Sequence, residues 1–282
     1  MSGSPISPRT PTRVALVVCD VDGTLVTRDK VLTPRAIEAA AALRGAGLAF
    51  TLTSARPPRG LDMLRGPLGI DQPVSAFNGG VIIGADGATL TQHVLAPQVA
   101  RETIALLAER DVGPWVFTHD LWLTRDAQGP HVEHERRTIG YGPTITADFE
   151  DVLGEVCKIV GVSHDHDHLA AVTREAQARF GHVATVERSQ PYYLDVTHRL
   201  ANKGEAVRAL AALIGVELMH VAAIGDGFND IAMFKASGFA IAMGNAAPPV
   251  QEAADWVTAS NEDEGFADAM ARLRRVVTGE AA

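Results

Sequence analysis

The sequence predicts an α/β protein in which one parallel-sheet domain, built from both ends of the chain, carries a second α+β domain inserted in its middle. Three observations lead there. Short apolar, β-branched runs such as VALVVC (14–19) and VAAIG (221–225) stop abruptly at acidic residues, as strands buried on both faces of a parallel sheet do. Near both ends of the chain such runs alternate with helical segments, whereas from about 84 to 188 helices and strands come in mixed order. The length, 282 residues, exceeds the usual size of one compact domain and suits two of roughly 100 to 180 residues.

Taken in order, VALVVC is the first strand. Thr33 can cap a helix that has Pro34 at its first position, runs through AIEAAAALR, and stops at Gly45 and Gly47. LAFTLTS (48–54) is the next strand and completes a βαβ unit. A Pro-bounded helix follows at 58–66, then PVSAF (73–77) as a third strand ending at Asn78-Gly79-Gly80. The middle of the chain gives helices at 97–111 and 167–180 and strands at 115–123, 156–162 and 182–188. Alternation resumes with YYLDV, a helix over 203–214, VAAIG, a helix over 229–236, the strand FAIAM (239–243) and a helix over 265–277. The expected boundaries are a disordered Ser/Pro-rich lead-in at 1–12, a core at 13–83 and 189–282, and an inserted domain at 84–188.

Formal net charge is −9 and basic residues are scattered, which argues against nucleic acid or an anionic membrane surface as partner. The lead-in has no apolar signal-peptide core, and no segment reaches the ~18 uninterrupted apolar residues of a membrane span. Cys19 and Cys157 lie in separate apolar runs and read as buried free thiols, which fits a reducing cytoplasm. No feature of the chain bears on its oligomeric state.

In an open α/β sheet, ligands bind beyond the carboxyl ends of the strands. Those positions hold Asp20 and Asp22 after the first strand, Ser54 after the second, Asn78 after the third, and Asp226 and Asp230 after VAAIG. An Asp after a strand is often only a turn former or a helix cap. Four carboxylates aimed at one edge, with Lys203 just downstream of YYLDV, repel one another unless a cation sits among them. A hard divalent ion with oxygen ligands answers this, and Mg²⁺ leaves room for a substrate phosphate. Gly23 permits a tight turn whose backbone N–H groups can approach a phosphate.

DVDGTL (20–25), TLTSAR (51–56), ANKG (201–204) and GDGFND (225–230) resemble, in order, the four motifs of the haloacid dehalogenase superfamily. The tail from Met243 onward is similar to that of its Cof-type hydrolases, and the resemblance covers the chain from Val14 onward. It implies a Rossmann-like core with an inserted α+β cap that closes over the active site, and phosphatase activity on a small phosphorylated metabolite. Asp20 would be the nucleophile that becomes an aspartyl phosphate, and Asp22 the general acid and then base. Ser54 would bind a phosphoryl oxygen, and Lys203 would offset charge on nucleophile and phosphoryl group. Mg²⁺ would be held by the Asp20 carboxylate, the Asp22 carbonyl and Asp226, with Asp230 supporting its waters and Asn229 orienting Lys203 or the phosphate. Ala55 stands where the family's second motif commonly has Gly.

Other signals are weaker. GDGFN lacks the third Gly of a dinucleotide-binding turn. HDHDH (164–168) reads first as a solvated loop with an Asp cap and second as a nickel or zinc site. In the inserted domain, Trp115 and Trp122 are expected to be partly core, and they, His119, His134 and Arg136 are candidates to meet substrate. Arg56 and Arg59 could meet a distal anion, and His198 and Asn202 border the strand end before Lys203. Sugar phosphates are the first expectation, nucleotide or vitamin phosphates the second. The alternatives are a phosphomutase or phosphotransferase using the same aspartyl phosphate, a non-catalytic metabolite-binding protein, and, last, a structural or adaptor role.

Overall fold

The computed structural model describes residues 11 and 13–279, so the expected lead-in falls outside the described residues except for Pro11. The chain divides into two compact units: unit 1 comprises residues 1–54, 64–74 and 203–282, and unit 2 comprises 55–63 and 75–202. The sequence placed the boundaries at 83/84 and 188/189.

Unit 1 is built on a five-stranded parallel sheet in the order β14-β13-β12-β1-β2. Its strands are β1 (Leu16–Cys19), β2 (Ala49–Leu52), β12 (Val221–Gly225), β13 (Phe239–Ala242) and β14 (Trp256–Val257). Central β1 and β12 are buried along their whole length, which is why their sequences are unbroken apolar runs. Five helices lie wholly in unit 1: α1 (Pro34–Gly45), α6 (Lys203–Ile214), α7 (Asp230–Ala236), α8 (Pro248–Glu252) and α9 (Gly265–Thr278). The cap of α1 is the expected one, with Thr33 Oγ1 accepting from the Ala36 N–H at 3.1 Å and Pro34 opening the helix. The helix α2 (Arg59–Leu68) spans the division. From β1 the chain continues to β2 on one side, while β12 lies on the other, so the strand order switches between β1 and β12. Their register, Cys19 beside Ile224, is extended by Asp20 N–H donating to the Ile224 carbonyl at 3.0 Å. Asp20 and the residues after Gly225 therefore emerge side by side.

Unit 2 contains a six-stranded sheet in the order β10-β11-β9-β6-β7-β8. Its strands are β6 (Gly113–Phe117), β7 (Trp122–Thr124), β8 (Thr144–Ile145), β9 (Lys158–Val162), β10 (Ala184–Gln190) and β11 (Tyr193–His198). All pairs are antiparallel except β7 with β8. Val116, Ile159, Leu194 and Val196 join residues of α3 (Pro97–Glu109) and α5 (His166–Phe180) in one apolar cluster. The alternate residues Trp115, Phe117, Lys158, Val160, Tyr193 and Asp195 line the other face and are buried too. There Lys158 and Asp195 form a buried ion pair at 2.7 Å, and Trp115 meets Trp122 edge-on at 4.9 Å.

Several elements differ from expectation. The single strand expected at 115–123 is two strands, because Thr118 and Leu121 close a turn between them. YYLDV, from Tyr193 onward, lies in β11, antiparallel in the unit 2 sheet and outside the parallel sheet. PVSAF becomes β3 (Val74–Ala76), which joins β4 (Val81–Ile83) and β5 (Thr89–Gln92) in a separate three-stranded sheet. The hairpin β4–β5 and the helix α4 (Val132–Ile139) were not expected: Val81–Ile83 is apolar and buried but only three residues long. All four β5 residues are exposed, and α4 buries only Val132, Thr138 and Ile139, at its two ends, so the apolar pattern in both is short. Both cysteines are buried and free. Among the described residues no helix is long and apolar enough to cross a membrane.

Candidate active site

Asp20 follows β1 directly and is 5% exposed. Lys203, the first residue of α6, points its ammonium inward and is 2% exposed. Its Nζ donates to Asp20 Oδ1 at 2.6 Å and to Asp230 Oδ1 at 2.5 Å. Asp230, fully buried at the start of α7, accepts on its other oxygen from the backbone N–H groups of Asp226 and Gly227 at 2.9 and 2.7 Å. Both Asp230 oxygens thus serve the protein: one fixes Lys203, the other shapes the loop that carries Asp226.

Asp226 is oriented from three sides. Thr24 Oγ1 donates to its Oδ1 at 2.9 Å, and Asn245 Nδ2 donates to its Oδ2 at 3.3 Å and to the Gly23 carbonyl at 2.9 Å. Gly23 passes close by with φ +85, and a Cβ there would overlap the Asp226 carboxylate. Turn geometry and close packing both require glycine at this position. Asp22 is half-buried and receives the Lys30 ammonium at 2.8 Å. Lys30 reaches it from a turn in which its own φ is +64.

Among the described residues, Asp20, Asp226 and Asp230 are the set whose ligand oxygens converge within 4.8 Å of one another. Three carboxylates around one ammonium leave two negative charges unmatched, which one divalent cation balances. The protonation energetics show the same deficit. Burial pushes the Asp20 carboxyl well above the ordinary carboxylate range, Lys203 pulls it back, and Asp230 and Asp226 raise it again. Asp226 is pushed up to about 6, by burial first and then by Asp230. For Lys203, burial alone would favour the neutral amine, but Asp20 and Asp230 outweigh it and hold the ammonium charged. The donors are hard oxygens, and the chemistry fits a metal of the magnesium class.

Ser54 is buried immediately beyond the strand next to β1. Asn229 precedes α7 and is half-buried. Asn78 belongs to unit 2, where it is buried in a turn after β3 with a left-handed backbone, φ 56 and ψ 30. Thr24, Lys30 and Asn245 are not among the residues the sequence singles out; Thr24 and Asn245 lie inside the DVDGTL motif and the tail from Met243, and Lys30 lies between the first motif and the helix cap Thr33.

The unit 2 candidates are committed locally. Arg56 is buried and donates to the Gly60 carbonyl at 3.3 Å, and Arg59 lies 4.3 Å over the Tyr141 ring. Arg136 pairs with Glu133, His119 with Asp120, and His198 stacks on His93. Trp115 and Trp122 are wholly core, 3% and 1% exposed.

The sequence profile described as haloacid dehalogenase-like hydrolase matches residues 17–270. A Haemophilus influenzae protein provisionally named a phosphatase is 30% identical over 254 residues, 89% of this chain and 95% of its own length. The 5-amino-6-(5-phospho-D-ribitylamino)uracil phosphatase of Bacillus subtilis is 28% identical over 285 residues, 89% of this chain and 95% of its own. Among solved structures, a haloacid dehalogenase-like hydrolase from Bacteroides thetaiotaomicron superposes with a TM-score of 0.84 at 30% identity, covering 93% of this chain and all of that one.

Proposed function

The chain belongs to the haloacid dehalogenase-like hydrolases, and within this family of phosphatases for small phosphorylated metabolites we propose that it is a Mg²⁺-dependent phosphomonoesterase working through an aspartyl phosphate on Asp20. The observation that carries the proposal is the Asp20 carboxylate, buried against the Lys203 ammonium in one cluster with Asp226 and Asp230.

An Asp20 oxygen attacks phosphorus, and its bond to phosphorus forms as the bond to the leaving oxygen breaks. Asp22 gives its proton to that oxygen. In the second half, Asp22 takes a proton from the water that attacks phosphorus, inorganic phosphate departs, and Asp20 and Asp22 return to their starting forms. Lys203, Ser54 and the backbone around Gly23 hold the phosphoryl oxygens, with Asn229 as a further phosphate contact. Asp230 anchors Lys203. Enzymes of this superfamily generally use a divalent metal, and here Asp20, Asp226 and the Asp22 carbonyl would hold Mg²⁺, with Asp230 behind them. The ion would supply charge neutralisation at the transferring phosphoryl group.

Selection of the leaving group is assigned to unit 2. Sugar phosphates come first and nucleotide or vitamin phosphates second, and the Bacillus subtilis relative, whose substrate name joins a phosphorylated ribityl chain to uracil, supports both. We assign the chain to the cytoplasm, where buried free thiols such as Cys19 and Cys157 stay reduced. The test is phosphate release from sugar, nucleotide and vitamin phosphates, with and without Mg²⁺, in wild type and Asp20→Asn. Release that needs both metal and Asp20 supports the proposal. Release by Asp20→Asn at the wild-type rate contradicts it, and consumption of the donor with no inorganic phosphate released, the phosphoryl group appearing instead on an added hydroxyl substrate, makes the chain a phosphotransferase.

A further inference from the structure

Four of the ten histidines meet at one end of the unit 2 sheet, around Tyr192. The His131 ring stacks on Tyr192 with centroids 4.1 Å apart and planes 14° apart. The His164 ring lies 4.7 Å from His131, and His134 and His166 each lie 6.2 Å from Tyr192. These residues come from three separate stretches: the turn before α4 with its first turn, the loop between β9 and α5 with the first residue of α5, and the turn between β10 and β11.

His131 is singled out further. Its backbone is left-handed, φ 59 and ψ 4, a conformation that a non-glycine residue holds at a cost. Its Nε2 is closed off from solvent and makes no hydrogen bond, an expensive state for a ring nitrogen.

We propose that this cluster is a binding site for a borderline-soft divalent transition metal such as Zn²⁺, with His131 Nε2, His164 and His166 as ligands. Imidazole nitrogens suit zinc, cobalt, nickel and copper, whereas the carboxylates of unit 1 suit magnesium, so the two centres take different metals. The imidazole nitrogens are not gathered as tightly as the unit 1 carboxylates. His164 and His166 are exposed, and side-chain rotation would bring their nitrogens toward His131. A bound ion would give His131 Nε2 the partner it lacks and tie the three stretches together. The other members of the HDHDH motif are spoken for: Asp165 caps α5 by accepting from the His168 N–H at 2.9 Å, and His168 Nε2 sits 2.7 Å from the Arg110 carbonyl oxygen.

The test is calorimetric titration of untagged, full-length protein with Zn²⁺ in excess Mg²⁺, repeated for His164→Ala, His166→Ala and His168→Ala. One zinc equivalent is expected, weakened at least about tenfold by His164→Ala and by His166→Ala, since even changes beyond the ligands cost that much. His168→Ala should leave the isotherm unchanged. Zinc should also raise the melting temperature of wild type and not of His164→Ala. An isotherm identical in wild type and His164→Ala, absence of zinc binding, or equal weakening by His168→Ala would each overturn the site. None of these readouts involves turnover, so the outcome is independent of the phosphatase proposal.

Discussion

At the residue scale, one ammonium, Lys203, stands between Asp20 at 2.6 Å and Asp230 at 2.5 Å, with almost no solvent access. Removing one partner from a buried ion pair leaves an uncompensated charge and costs about 3 to 5 kcal/mol. Lys203→Met is therefore expected to lower the stability of metal-free protein by about 3 kcal/mol in urea denaturation at pH 7, and by less at pH 5, where the carboxylates can take up protons. Asp226 gives a second pH effect. Its carboxyl titrates near about 6 in the folded chain and near 3.8 when unperturbed, so between those values the folded state binds more protons than the unfolded one. Stability of the metal-free protein then falls as pH rises from about 4 to about 6, by an amount on the order of 3 kcal/mol from this group. Saturating Mg²⁺, which favours the ionised carboxylate, should flatten that slope; a slope of opposite sign without metal would contradict the assigned environment. Asp20, Asp226, Asp230 and Lys203 were legible because each lies within a residue or two of a strand end or helix start. Thr24 and Asn245 were not, since a Thr or Asn signals nothing until folding brings residues 24, 226 and 245 together.

At the element scale, short turns set the geometry. Gly225 ends β12 where a Cβ would collide with the Asp230 carboxylate and Met233. Gly225→Ala should displace Asp230 and so Lys203, lowering kcat by an order of magnitude or more while the far-UV circular dichroism stays as in wild type. In unit 2, Asp165→Ala removes the cap of α5 and should cost about 1 kcal/mol in denaturation experiments. The long elements were legible: α6 spans the expected 203–214 and β12 the expected 221–225. The strand Tyr193–His198 was located correctly but could not be assigned to a sheet, because an apolar run does not state its partner. In α4 only Val132, Thr138 and Ile139 are buried, at the ends of an eight-residue helix, and β5 is exposed throughout, so neither offers an apolar pattern long enough to read.

At the scale of the whole molecule, an acidic chain of net charge −9 handles an anionic substrate by concentrating cations where the chemistry occurs. In the proposed mechanism Lys203 is one such cation, and a divalent metal held by Asp20 and Asp226 would be the other. Chelation should therefore stop phosphate release, and added Mg²⁺ should restore it; full activity in excess chelator would remove the metal from the account. The order of apolar runs made the inserted architecture legible, whereas of the histidine cluster only HDHDH (164–168) stood out in the sequence, because His131, His134 and Tyr192 lie on stretches tens of residues away. The central claim is that Asp20 carries the phosphoryl group. Its most direct test is rapid acid quench of the enzyme turning over a phosphate-labelled substrate, followed by mapping of the labelled peptide. The account predicts a base-labile label on the peptide containing Asp20, absent from Asp20→Asn; turnover with no covalent label at any quench time, or a label on another residue, would contradict it.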